Sequence, residues 1–318
     1  MWLDKLEYRD SLGLPEDLTF GIEIEFAKAR RKYIEEELND LYKKGIINSK
    51  WDLKYEETIF GDQEISYTKG GEAVSTILHD SKNTWDNIKY TCDTIKLYNG
   101  IANNNCGSHV HIGVNILKDN MKYYDRLIKL YVIYEDILLR FCYGEDNKPR
   151  DTFKIFAQSP YNLFKIFYEY FYDDEKFNLS FDKFLYYINN INNKNISLSF
   201  CRLSKEFLER KYHITDNWYN YRTLEFRAGN GTLNPAIWQN YINLYTKLLL
   251  CCTNDKKDWS KVNKEFENSI YNEELDKFNI NKAINFADFI FNSSLDKNNF
   301  MLQYIKDEKN TKTKRRSK

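Results

Sequence analysis

Residues 20–26 read Phe-Gly-Ile-Glu-Ile-Glu-Phe, and this run constrains the fold more than any other part of the chain. Side chains of a β-strand alternate between two faces. Phe20, Ile22, Ile24 and Phe26 therefore share one face, while Gly21, Glu23 and Glu25 share the other. The first face suits the middle of a sheet. The second carries two carboxylates about 7 Å apart, two residues along a strand. Like charges at that spacing repel, and burial raises the cost further. The arrangement makes sense if a cation sits between them, and a metal ion is the simplest candidate.

Two distant segments repeat the design. Ser108 to Ile112 sets Val110 and Ile112 against His109 and His111. Arg222 to Arg227 sets Leu224 and Phe226 against Thr223, Glu225 and Arg227. If the three segments lie in one sheet, helices can cover the apolar face and the ionisable face can line a pocket. Mostly oxygen ligands with one imidazole fit Mg²⁺ or Mn²⁺ better than Zn²⁺. An arginine on the same face supplies a fork for phosphate. The set suits phosphoryl transfer, where catalysis is largely positioning and charge neutralisation.

Periodicity places the other elements. Strands are expected at Trp51–Tyr55, running into Glu56, at 70–75 after a Gly-Gly turn, and at Ile196–Cys201. Helices are expected over Ala27–Lys44 with Gly45 as the stop, from a Ser81 cap to Leu97, and over Tyr124–Phe141, Arg202–Lys211 and Ala236–Cys252. Tyr- and Phe-rich helical segments continue to about Asn193, and Tyr124, Tyr131 and Tyr134 are read as core. With no internal repeat and no linker, residues 20–252 form one catalytic unit, preceded by a leader over 1–19 that Gly13 and Pro15 keep from being helical. A helical segment over 253–308 and a disordered basic tail over 309–318 complete the expected organisation.

Composition sets the outer limits. At 318 residues, 42% hydrophobic and 16% aromatic, the chain can bury a sizeable core. Zero net charge gives no overall field toward nucleic acid or an anionic membrane. The start lacks the apolar run of a signal peptide, and no stretch has the length of a membrane span. Six cysteines without CxxC spacing point to reduced thiols in a cytoplasmic protein. Cys106, beside the histidine strand, reads as a buried thiol.

Four motifs, taken in order, resemble the amidoligase family: Gly-Ile-Glu-Ile-Glu-Phe (21–26), Gly-Gly-Glu-Ala-Val-Ser (70–75), Cys-Gly-Ser-His-Val-His-Ile-Gly (106–113) and Thr-Leu-Glu-Phe-Arg-Ala (223–228). These are carboxylate–amine ligases related to glutamine synthetase and glutamate–cysteine ligase. Each motif alone is weak, and the ordered set is specific. The resemblance implies an α+β fold: a curved antiparallel sheet with the active site on its concave face and helices on the other. It also implies activation of a carboxylate by ATP as an acyl phosphate, followed by attack of an amine to give an amide.

By the same resemblance, Glu23 and Glu25 are metal ligands, one for each of two ions, and Glu72 is another. One histidine of the pair, His109 or His111, joins the ion that orients the nucleotide phosphates, and Glu225 completes that site. Arg227 stabilises the transferring phosphoryl group. Glu72 and Glu56 are carried over as catalytic, although Glu56 stands where the family usually has Asp followed two residues later by Ser. Thr76 follows Ser75 where the family tends to have proline, so that turn departs from the pattern. Arg210 and Lys211, before the last strand, are expected to contact phosphate or a substrate carboxylate.

The carboxylate and the amine, whether amino acid, peptide or protein, are not identified by any residue, and neither is the oligomeric state. Two other functions compete. A hydrolase could hold Zn²⁺ on the His-x-His strand, but only His79 and His213 remain to add nitrogen ligands. A non-catalytic binding protein on a ligase fold would have little need for every acidic position of the pattern.

Overall fold

In the computed structural model, β1 (Phe20–Arg30) turns Phe20, Ile22, Ile24 and Phe26 inward until each is at most 2% exposed. Burying side chains of this size is worth roughly 1.5–3 kcal/mol each, which pins the strand's register against a one-residue slip. The structure describes residues 2–56, 59, 69–171, 180–191, 195–270 and 278–306.

The elements run α1 (Arg31–Lys43), β2 (Trp51–Lys54), β3 (Lys69–Ser75), α2 (Lys82–Leu97), β4 (Gly107–Gly113), α3 (Met121–Cys142), α4 (Phe153–Phe156), α5 (Tyr161–Phe171) and α6 (Phe181–Ile191). They continue with β5 (Leu198–Ser199), α7 (Lys205–Tyr212), β6 (Thr223–Asn230), α8 (Pro235–Cys252), α9 (Trp259–Ser269), α10 (Ile280–Ile290) and α11 (Ser294–Ile305). The described strands form one open sheet in the order β2-β3-β1-β4-β6-β5, with every neighbouring pair antiparallel. The fold is α+β, as expected.

Helices cover the apolar face of the sheet. Ser81 caps α2 by accepting the Thr84 N–H at 3.2 Å, and Trp85 of that helix stacks on Phe20 with ring centroids 5.5 Å apart. Asn234 caps α8, Pro235 opens it, and Tyr245 lies flat on Phe226 of β6 at 3.9 Å. Tyr124, Tyr131 and Tyr134 of α3 are buried, in line with their reading as core. The C-terminal helices pack on the same layer: Phe300 stacks on Phe141, and Arg126 lies 4.3 Å over the Trp259 ring.

Three boundaries differ from the sequence reading. The expected helix from Ala27 begins only at Arg31, because β1 continues through Ala27–Arg30: Ala27 bridges Ile101 and Arg30 pairs with Lys69. Lys28, at φ 70°, sits within the irregular stretch of the β1–β3 ladder and shifts the alternation by one residue. Ala27 thus packs with Ile59 and Cys106, whereas Ala29 joins the main core. The expected strand at Ile196–Cys201 shortens to Leu198–Ser199. Arg202 lies in a 3-10 turn (Cys201–Leu203), and the following helix begins only at Lys205 with Ser204 as its cap.

The N-terminal residues are tied into the fold. The Glu7 N–H donates to Asn299, and Arg9 pairs with Asp296 at 2.8 Å. The basic tail over 309–318 and residues 57–58 beside Glu56 lie outside the described residues.

Candidate active site

Strand register assembles the ionisable face. The β1–β4 ladder sets Glu23 opposite His109, the β1–β3 ladder sets Glu25 opposite Glu72, and the β4–β6 ladder sets His111 opposite Glu225. Side chains directly opposite each other on one face lie within contact range. The result is a continuous row across four strands.

Glu23 is the hub of this row. His109 donates from Nδ1 to Glu23 Oε2 at 2.9 Å, and His111 donates from Nε2 to Oε1 at 3.0 Å, since an ionised carboxylate can only accept. Arg202 Nη2 adds a third contact to Oε1 at 3.3 Å. Glu25 accepts the backbone N–H of Gly107 and lies 3.6 Å from His109 Nε2. Glu72 Oε1 lies 3.8 Å from His109 Nδ1. On β6, Arg227 donates to Glu225 and also reaches the Phe156 carbonyl at 3.3 Å.

These charges push one another's protonation apart. Burial pushes Glu72 well above the usual carboxylate range, and the charges of Glu23, Glu25 and Glu56 push the same way. Burial opposes ionisation of Glu225 too, yet Arg227 and His111 overcome it and lower that carboxyl to about 2. Glu23 is likewise held well below the usual range, its burial outweighed by His111 and His109. Burial, reinforced by Arg202, keeps His111 on the neutral side. Four carboxylates crowd a face on which Arg227 and Arg202 are the contacting guanidinium groups.

The face fits a divalent cation. Donor atoms of Glu23, His109 and Glu225 lie within 4.8 Å of one another, and so do those of Glu25, Glu72 and His109. His109 is common to both groups. Its Nε2 is buried with no hydrogen-bond partner although it faces Glu25, and His111 Nδ1 is likewise unpaired. Unpaired buried nitrogens among carboxylates are what a cation would satisfy. The oxygen-rich donor set matches Mg²⁺ or Mn²⁺.

All seven face residues expected from the sequence, namely Glu23, Glu25, Glu72, His109, His111, Glu225 and Arg227, share this face. Glu56, just beyond β2, is half-buried and close enough for its charge to act on Glu72. Arg210 and Lys211 are exposed on α7, and Lys211 lies over the rings of Phe207 and Tyr212. The basic residue of that region that touches the row is Arg202, whose guanidinium also stacks 4.6 Å over Tyr212. Arg150 is a second residue missed from sequence. It is buried, donates to the carbonyls of Gly229 and Arg227, and packs against Gly107, whose N–H holds Glu25. Arg150 sits in no periodic segment, and Arg202 was read only as the start of a basic helix. In the structure Arg202 lies in the 3-10 turn after β5 and Arg150 just ahead of α4. Burial pushes the Cys106 thiol up to about 12, consistent with an inert core cysteine. All six cysteines are free and buried.

Fold and site together define an open antiparallel α+β protein with a carboxylate-rich, cation-compatible face. Residues 16–249 match the family described as "Putative amidoligase enzyme", and the chain belongs to that family. Membership places it among enzymes of the ligase class. Among solved structures, it is similar to a bifunctional glutathione synthetase from Pasteurella multocida, at 12% identity and a TM-score of 0.40. That match covers 91% of this chain and 46% of the other, so the chain spans under half the length of that protein. No curated protein matches the chain. Among the described residues, no helix is long and apolar enough to cross a membrane.

Proposed function

We propose that this protein is an ATP-dependent carboxylate–amine ligase that forms an amide or isopeptide bond through an acyl phosphate. The observation that carries the reading is the convergence of two cation-compatible donor groups on His109, in the same row as Arg227.

In the first step a substrate carboxylate oxygen attacks the terminal phosphorus of ATP, giving an acyl phosphate and ADP. Mg²⁺ or Mn²⁺, held by Glu25, Glu72 and the free Nε2 of His109, with Glu23 and Glu225 offering carboxylates to a second ion, would neutralise phosphate charge and align the oxygens. Arg227, fixed by Glu225 and the Phe156 carbonyl, presents its guanidinium to the transferring phosphoryl group. In the second step an amine attacks the acyl carbon and expels phosphate. The amine must shed a proton, and we assign Glu56 and Glu72, at the outer end of the row, to accept it.

A zinc hydrolase has less support. His79 is exposed and bonded to the Glu16 carbonyl, and His213 is exposed at the end of α7, so neither adds nitrogen to the row. Purified protein with Mg-ATP should release ADP and phosphate only when a carboxylate and an amine are both supplied. Release of AMP and pyrophosphate, or ATP-independent hydrolysis with bound zinc, would overturn the assignment.

A further inference from the structure

Beyond Glu23 and His111, toward the start of β1, the row opens into a cavity of about 150 Å³. Its floor is Gly21, Glu23 and His111. Residues from Arg202 to Tyr221 form the far wall, where Leu208, Ile214, Tyr212 and Tyr221 make the lining largely apolar. Ser75 closes one side, its hydroxyl bridging the Ile22 N–H at 2.9 Å and the Thr76 carbonyl at 2.8 Å. The end nearest the row is charged, and the rest is largely apolar, with Thr19, Ser75, Thr76, Asn220 and Thr223 contributing uncharged polar groups.

Arg202 is the cation at that end. Of its five N–H donors, one reaches Glu23, and Tyr212 supports the guanidinium from below. Its side chain remains 20% exposed where it lines the cavity. A guanidinium with donors to spare at the mouth of an apolar chamber selects an anion carrying an apolar body. A cation on Glu23 would add positive charge at the same end.

The volume limits the body. A dry cavity of about 150 Å³ accommodates one benzene ring, whereas sites enclosing drug-sized ligands run to about 300–1,000 Å³. Glycine at position 21 keeps the floor clear. A Cβ built there would meet only Ser75 Oγ at 3.6 Å, Thr76 O at 3.9 Å and His111 Cβ at 4.0 Å. These are ordinary contacts, so an alanine fits there without straining the sheet.

We infer that this cavity is the specificity pocket for the acyl donor: a carboxylate bearing a single apolar group of about one ring, with the carboxylate on Arg202 and the apolar group between Leu208, Ile214, Tyr212 and Tyr221. The pocket is read from its own lining. Only the naming of its occupant as acyl donor rests on the ligase reading.

The test uses phenylacetate as probe, with the full chain and no nucleotide, by calorimetry. Phenylacetate should bind at least about tenfold more tightly than acetate or benzylamine. Arg202→Gln should weaken it by about 10- to 100-fold, the loss expected for a charge-assisted hydrogen bond. Gly21→Leu should abolish binding while leaving the melting temperature near the parent's, and Gly21→Ala should weaken it less. Benzylamine binding as tightly as phenylacetate, indifference to Gly21→Leu, or competitive displacement of phenylacetate by ATP would each overturn the pocket assignment. Binding with the expected variant pattern but no carboxylate- and amine-dependent ADP release would uphold the pocket and refute the ligase reading. ADP release from carboxylates irrespective of their apolar group would do the reverse.

Discussion

Glu23 and His109 face each other across the β1–β4 ladder, joined by a 2.9 Å hydrogen bond, and His109's other nitrogen is buried without a partner 3.6 Å from Glu25. One imidazole therefore touches the central carboxylate and stands in both groups of converging donors.

With Nδ1 engaged by Glu23, only Nε2 can take an ion, which predicts unequal effects on metal stoichiometry. Glu225→Gln should weaken the Mn²⁺ ion beside Glu23 alone, whereas Glu72→Gln and His109→Ala should both weaken the ion beside Glu25, by at least about 10- to 100-fold, the loss typical of even an outer-shell change. Mn²⁺ titration followed by paramagnetic resonance or calorimetry reads this directly. Two unaltered ions in His109→Ala would show that the imidazole is not a ligand.

A second prediction concerns stability away from the site. Glu135 of α3 is 2% exposed, with one oxygen bonded to Ser159 at 2.8 Å and the other unpaired. Burial raises its carboxyl from 4.5 to about 7. The folded state thus holds a proton that the unfolded chain releases between those two values, so stability falls as pH rises across that window. By pH 8 the full cost, about 3 kcal/mol, is present. Glu135→Gln should raise the unfolding midpoint at pH 8 and leave it nearly unchanged at pH 4.5. Equal effects at both pH values would exclude this origin.

A third prediction tests the support beneath Glu25. Gly107 has no room for a Cβ, because the Arg150 guanidinium packs directly against it. Gly107→Ala must displace Arg150 from the carbonyls of Gly229 and Arg227 or shift the N–H that Glu25 accepts. We expect a loss of about 1–3 kcal/mol in denaturant unfolding, typical of overpacking, and a larger fall in ligase turnover than in substrate KM. Parent-like stability and turnover would show that the contact relaxes freely.

What could be read in advance follows from what forms patterns. The site strands were legible because alternation with period two leaves one face apolar and the other ionisable, and Ser81 marked the start of its helix by the chemistry of its cap. The start of α1 was not, since Lys28's positive φ breaks the alternation at the point where the pattern would have announced more strand. Glu72 was found through family motifs, because a strand whose first half includes Gly70 and Gly71 carries little period of its own, and those glycines, expected as a turn, lie within β3, where Gly71 pairs with Phe26. Arg202 and Arg150 lie in irregular backbone, and their importance arises only when segments remote in sequence meet.

The pairing of Arg9 with Asp296, 287 residues away in sequence, has a consequence for biosynthesis. The leader also donates to Gln239 and Asn299, so its final resting place does not exist until α8 and α11 have been made. On the ribosome, Glu7 and Arg9 must wait for Gln239, Asp296 and Asn299, so this part of the fold locks shut only after α11 has been synthesised.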